Sequence, residues 1–84
     1  MGRRHVVPRY FFHLFDDMTS MDEEGKELPS VQHAHAEAVS NAREMACAEV
    51  MHGHLHLSHR IEVADADGTV VDTVWFRDVV EVGD

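Results

Sequence analysis

PRYFFHLF, residues 8–15, decides the fold. Side chains alternate along an extended chain, so Tyr10, Phe12 and Leu14 share one side while Phe11, His13 and Phe15 share the other. Apolar groups on both sides mark a central strand with something packed across each face. Asp16-Asp17 then reads as a turn, with Met18 to Met21 or Asp22 as a short return strand. DEEGKELPS, residues 22–30, is a polar loop punctuated by Gly25 and Pro29.

The segment after that loop has helical spacing. Ser30 is a good N-cap, and no Gly or Pro interrupts Val31 to Met51. At 100° per residue Val31, Ala34, Ala38, Ala42 and Met45 form one stripe, flanked by Val39 and Ala46. Alanine dominates the stripe, so the helix can lie close to its neighbour. Gly53 suits a left-handed cap, which leaves His52 in the last turn. RIEVADADGTVVDTVWF, residues 60–76, reads as a hairpin turning at Asp67-Gly68. The order is ββαββ: an α+β fold with one long helix on one face of a small antiparallel sheet. Residues 1–7 are expected as a flexible lead-in, 8–77 as a single domain and 78–84 as a fraying tail.

One helix leaves the second face of the sheet uncovered. The aromatic and β-branched candidates for that face are Tyr10, Phe11, Phe12 and Phe15 with Val71, Trp75 and Phe76. Monomers seldom expose large apolar patches, so a second copy packing sheet to sheet is the expected cover. This leads to a non-enzymatic interaction module, self-associating as a homodimer and open to a regulatory protein partner.

Composition narrows the alternatives. The 84 residues carry 16 Asp and Glu against 7 Lys and Arg, a formal charge of −9. The negative charge concentrates in residues 16–29 and 60–84, and the one basic stretch is Arg3, Arg4 and Arg9. Most of this surface repels phosphates, which excludes nucleic acid as the expected partner. Hydrophobic residues make up 44%, enough for a folded core. No run approaches the length of a membrane span. VVPRYFFHLF is interrupted by Arg9 and His13 and lacks a small-residue cleavage site, which argues against an export leader. Cys47 is the only cysteine, so no disulfide framework forms, and a cytoplasmic setting is expected.

HGHLHLSH, residues 52–59, holds four of the eight histidines. If a strand begins near residue 54 or 55, His54 and His56 point together and His59 points the opposite way. The alternative function is therefore metal binding or sensing, with zinc or nickel held by His54 and His56 and completed by His52 or a distant carboxylate. Otherwise no cofactor is expected. His33 and Glu37 are one helical turn apart and positioned to pair, and His35 belongs at the edge of the core, bonded to the sheet. The H-E-x-x-H pattern of a zinc protease is absent. DADG fails as a calcium loop, because Val63 and Val74 fall where the first and last carboxylates belong. Asp22, Glu23 and Glu24 read as a solvated loop. Cys47 lies opposite the apolar stripe, and no residue pattern pairs it with an activating base.

Pro8 to Phe12 (PRYFF), Asp22 to Pro29 (D-x-E-G-x-E-L-P), Ala34 to Ala38 and the hairpin Ile61 to Phe76 together resemble a family of small bacterial proteins. That family, mostly alphaproteobacterial, is catalogued as a domain of unknown function. The resemblance covers residues 8–77 and implies a small cytoplasmic domain with this same element order. It supplies no catalytic residues. The sequence departs from the pattern at MGRRHVV and at the histidine-rich join.

Overall fold

β1 (Arg9–Phe15) lies inside the sheet, as its two-sided apolar pattern requires, in the computed structural model, which describes residues 7–83. One edge pairs antiparallel with β4 (Arg60–Ala64), in a register running from Phe11 opposite Ala64 to Phe15 opposite Arg60. The other edge takes β2 (Thr19–Ser20) at Leu14 and Phe15, and β3 (Lys26–Glu27) at Arg9 and Tyr10. β5 (Val70–Trp75) follows β4, so the order is β2-β1-β4-β5 with β3 also beside β1. The long helix α1 (Val31–Met51) crosses one face, and a single turn, α2 (Phe76–Val79), follows β5. Among the described residues no helix is long and apolar enough to cross a membrane.

The α+β class and the ββαββ order hold, with β3 and α2 as additions. Phe76, expected to end the hairpin, instead begins α2 and is fully buried. The tail expected to fray from residue 78 is held at Val79 and Val80, which pack on the core. Arg43 on α1 donates from Nε to the Val79 carbonyl at 3.0 Å. Of the expected lead-in, residues 1–6 lie outside the described residues, as do Arg3 and Arg4.

Ala34, Ala38, Ala42 and Ala46 are all buried on α1, in the same core as Ile61, Val63, Val74 and Phe76. A methyl group every fourth residue lets the helix backbone settle onto the sheet. The largest fully buried side chains, Phe76, Ile61 and Val63, come from α2 and β4, and each contributes about 1.5–3 kcal/mol on burial. Val31, expected to head the stripe, lies beyond its N-terminal end and is 40% exposed. The Ser30 hydroxyl accepts the His33 amide at 3.3 Å and caps the helix.

Between β2 and β3 the chain leaves the edge of β1, and one side chain replaces the missing ladder. Asp22 accepts the Phe12 amide at Oδ2 and the Glu24 and Gly25 amides at Oδ1, each at 3.1 Å. Its own amide donates to His13 Nδ1 at 3.0 Å. Burial raises the Asp22 carboxyl, but the three amide donors and the nearby His13 outweigh it, and the net shift is downward. Asp22, expected in a solvated loop, is thus a structural latch. Gly25 sits beside it with φ of 70°, and a Cβ there would stand 2.8 Å from the Tyr10 carbonyl oxygen.

The helix claims one of the two strand faces, which corrects the expected interaction face. Tyr10 and Phe76 are buried on the α1 side, and Phe12 packs against the same core. Val71 is skipped by the register shift between the Ala64–Val70 and Val63–Asp72 pairs, and it also packs on the core. Phe11, Phe15 and Trp75 remain for the outer face, each partly exposed. There the Arg60 guanidinium lies 4.3 Å from the Phe15 ring centre and 5.2 Å from that of Trp75, with Arg77 4.7 Å over Trp75. Arginine stems shield aromatic surface while their charge stays in water, so this face carries part of its own cover.

Two glycines with positive φ separate backbone strain from overlap. Among the described residues nothing lies within 4 Å of a Cβ at Gly53, so Gly53→Ala should cost about 1–2 kcal/mol of strain alone. Gly25→Ala adds steric overlap and should cost about 3 kcal/mol or more. Urea unfolding of both variants measures this, and equal costs would contradict the close approach at Gly25.

Candidate metal centre

The site grows from a residue that interrupts a pattern. Glu49 lies four residues beyond Met45 and seven beyond Ala42, so it continues the core-facing stripe of α1 with a carboxylate. Its side chain is only 15% exposed. It also sits in the last turn of α1, where negative charge opposes the helix dipole. Both features require partners, and the segment after the helix provides them.

Gly53, with φ of 88°, turns the chain past the helix end. The His54 amide donates to the Glu49 carbonyl at 3.0 Å. The His56 amide donates to Glu49 Oε1 at 2.7 Å, and His56 Nδ1 stands 3.4 Å from the same oxygen. His59 Nδ1 bonds Glu49 Oε2 at 2.8 Å. An ionised carboxylate only accepts, so His59 donates here. The three rings gather in a row, with His54 to His56 centroids 4.9 Å apart and His56 stacked on His59 at 4.5 Å. His59 is 8% exposed, meets the edge of Phe76, and has Asp17 Oδ1 3.7 Å from its Nε2.

This arrangement corrects the expectation that a strand from residue 54 or 55 splits the imidazoles between two faces. β4 begins only at Arg60. Upstream of it, Glu49 engages the His56 amide, while the Leu57 and His59 carbonyls accept the Arg77 and Phe76 amides at 3.3 and 2.9 Å. Those groups are committed outside a strand ladder, and His59 turns toward the other histidines.

One ligand atom each from Glu49, His54 and His56 lies within 4.8 Å of the others. His52 is not among them, and its Nδ1 lies 2.7 Å from the Ala48 carbonyl oxygen. Ligands bound at about 2.0–2.1 Å in a tetrahedron stand roughly 3.4 Å apart, so the group must close slightly. His54 is exposed and has the most room to move. Two imidazoles and a carboxylate suit borderline divalent ions such as zinc and nickel better than calcium or magnesium.

Burial raises the Glu49 carboxyl, but the His56 amide, the His59 hydrogen bond and the charge of both rings outweigh it, leaving a net downward shift. A carboxyl depressed on folding stabilises the protein above its unfolded value, here 4.5. That contribution is lost as pH falls through the lower folded value.

The remaining sequence candidates fall elsewhere. His35 is tied to the sheet as expected, with Nδ1 2.6 Å from Asp72 Oδ2. His33 pairs with Ser30 rather than Glu37, which instead meets Lys26 at 3.2 Å. Asp65 Oδ1 accepts the Asp67 and Thr69 amides, so DADG is a turn. Cys47 is exposed and lines a groove of about 330 Å³ with Arg43, Ala46, Val50, Leu55, Val80 and Glu81, and among the described residues no imidazole lines it. Sequence reasoning missed Glu49 and misplaced His59. The available signal for Glu49 was a carboxylate continuing an apolar stripe just before a histidine-rich segment.

The model of a domain of unknown function, DUF6894, matches residues 9–77, which include Glu49 and all the loop histidines. The chain belongs to that family. No curated protein and no solved structure matches it.

Proposed function

We propose that this member of DUF6894 is a metal-binding module that takes one zinc-like divalent ion on Glu49, His54 and His56. The observation that carries the reading is their convergence, with all three ligand atoms within 4.8 Å of one another. Two further features support it. Glu49 enters the group already held by two hydrogen bonds, and the exposed His54 leaves an approach for the ion. Calorimetric titration of the chelator-treated full chain with zinc and nickel tests this. One ion per chain should bind saturably, with calcium and magnesium silent. Neighbouring imidazoles bind such metals on their own, so the decisive variant is Glu49→Gln. Losing a direct ligand should weaken binding at least as much as losing a supporting residue, about tenfold or more. His52→Ala should change nothing, and His54→Ala with His56→Ala should remove the saturable phase. Unchanged affinity in Glu49→Gln sinks the reading.

A second reading, self-association as a homodimer through the outer sheet face, is supported by the partial exposure of Phe11, Phe15 and Trp75 there. Light scattering across protein concentration checks it: a dimer mass that drops on Trp75→Ser supports the reading, and a constant monomer mass ends it.

A further inference from the structure

We infer that His59 is the positioning residue of this metal site, an inference that rests on the metal-binding reading above. Glu49 has two carboxylate oxygens, and only one can face His54 and His56 while the other is held. Its Oε2 takes the Nδ1–H of His59 at 2.8 Å, which leaves for the ion the second lone pair of Oε1, an oxygen that already accepts the His56 amide at 2.7 Å and lies 3.4 Å from His56 Nδ1. His59 is itself fixed on every side. It is 8% exposed, stacked on His56 at 4.5 Å, set against the edge of Phe76 at 5.6 Å, and anchored by its carbonyl, which accepts the Phe76 amide. Its Nε2 side meets the Asp17 carboxylate at 3.7 Å, which ties the β1–β2 turn to the same group. A rigid donor behind a ligating carboxylate fixes its rotamer before the ion arrives, which is how outer groups raise metal affinity.

Two amide substitutions isolate the donor. In Asn the side-chain nitrogen falls near the position of Nδ1, and in Gln it falls near Nε2. Zinc titration of the wild type, His59→Asn and His59→Gln, each checked for folding by circular dichroism, reads the effect directly. Cobalt absorption in the same three proteins reports the ligand geometry. His59→Asn should bind within about threefold of the wild type, whereas His59→Gln should bind about 10–100-fold more loosely, with an altered cobalt spectrum. Equal affinity in both variants and the wild type overturns the role of His59 while leaving the metal site standing. Equal losses in both variants overturn it too, because the donor position would then not matter. A wild type that binds no zinc saturably overturns the metal site itself, and His59 with it.

Discussion

The hydrogen-bonded carboxylate of Glu49 is the interaction on which the lower end of the molecule depends. It sits at the end of α1, on the side facing the core, where a side chain of this charge costs free energy unless donors surround it. The donors come from the six residues that follow Gly53: the amide of His56 and the ring of His59. Satisfying the carboxylate shapes that segment into a loop rather than an early start to β4. The same bonds that hold the loop gather three imidazoles around one oxygen pair. Local folding and the candidate metal chemistry therefore have one cause.

A second side chain does comparable work at the upper end. β2 and β3 each pair with β1 over only two residues, and the gap between them exposes the Phe12 amide to the loop. Asp22 fills that gap, with Gly25 pressed against the Tyr10 carbonyl. This explains why the stretch from Asp22 to Pro29 is acidic, glycine-bearing and yet ordered. In both places a carboxylate accepts backbone amides that regular secondary structure leaves unpaired, three at Asp22 and one, beside the His59 ring, at Glu49. The acidic composition, which sets the formal charge at −9, is in part a structural device as well as a solvated surface.

Periodicity carried most of the fold. The alternation in PRYFFHLF placed β1, the alanine spacing placed α1, and Asp67-Gly68 placed the hairpin turn. Those signals are local, and each follows from where a side chain must point. What escaped depends on contacts distant in the chain. The loop 54–59 alternates as a strand would, and contacts distant in the chain turn it elsewhere: the carboxylate of Glu49 and the amides of Phe76 and Arg77. Phe76 and Val79 looked like the end of a strand and a tail until α1 offered them a surface. The outer face looked bare because the reach of Arg60 across Phe15 and Trp75 follows from strand register, which the residues alone do not specify. His54 and His56 were legible as a pair, while their third partner was hidden as one more acidic residue on a helix.

The most direct measurement of the account is the unfolding free energy of the metal-free wild type and Glu49→Gln as a function of pH. If the ionised carboxylate organises the loop, the wild type is the more stable near neutrality. The advantage then shrinks as pH falls below about 4.5, through the depressed folded value of Glu49. A difference that is absent, or that stays constant across that range, would contradict the claim that this carboxylate holds the structure around it.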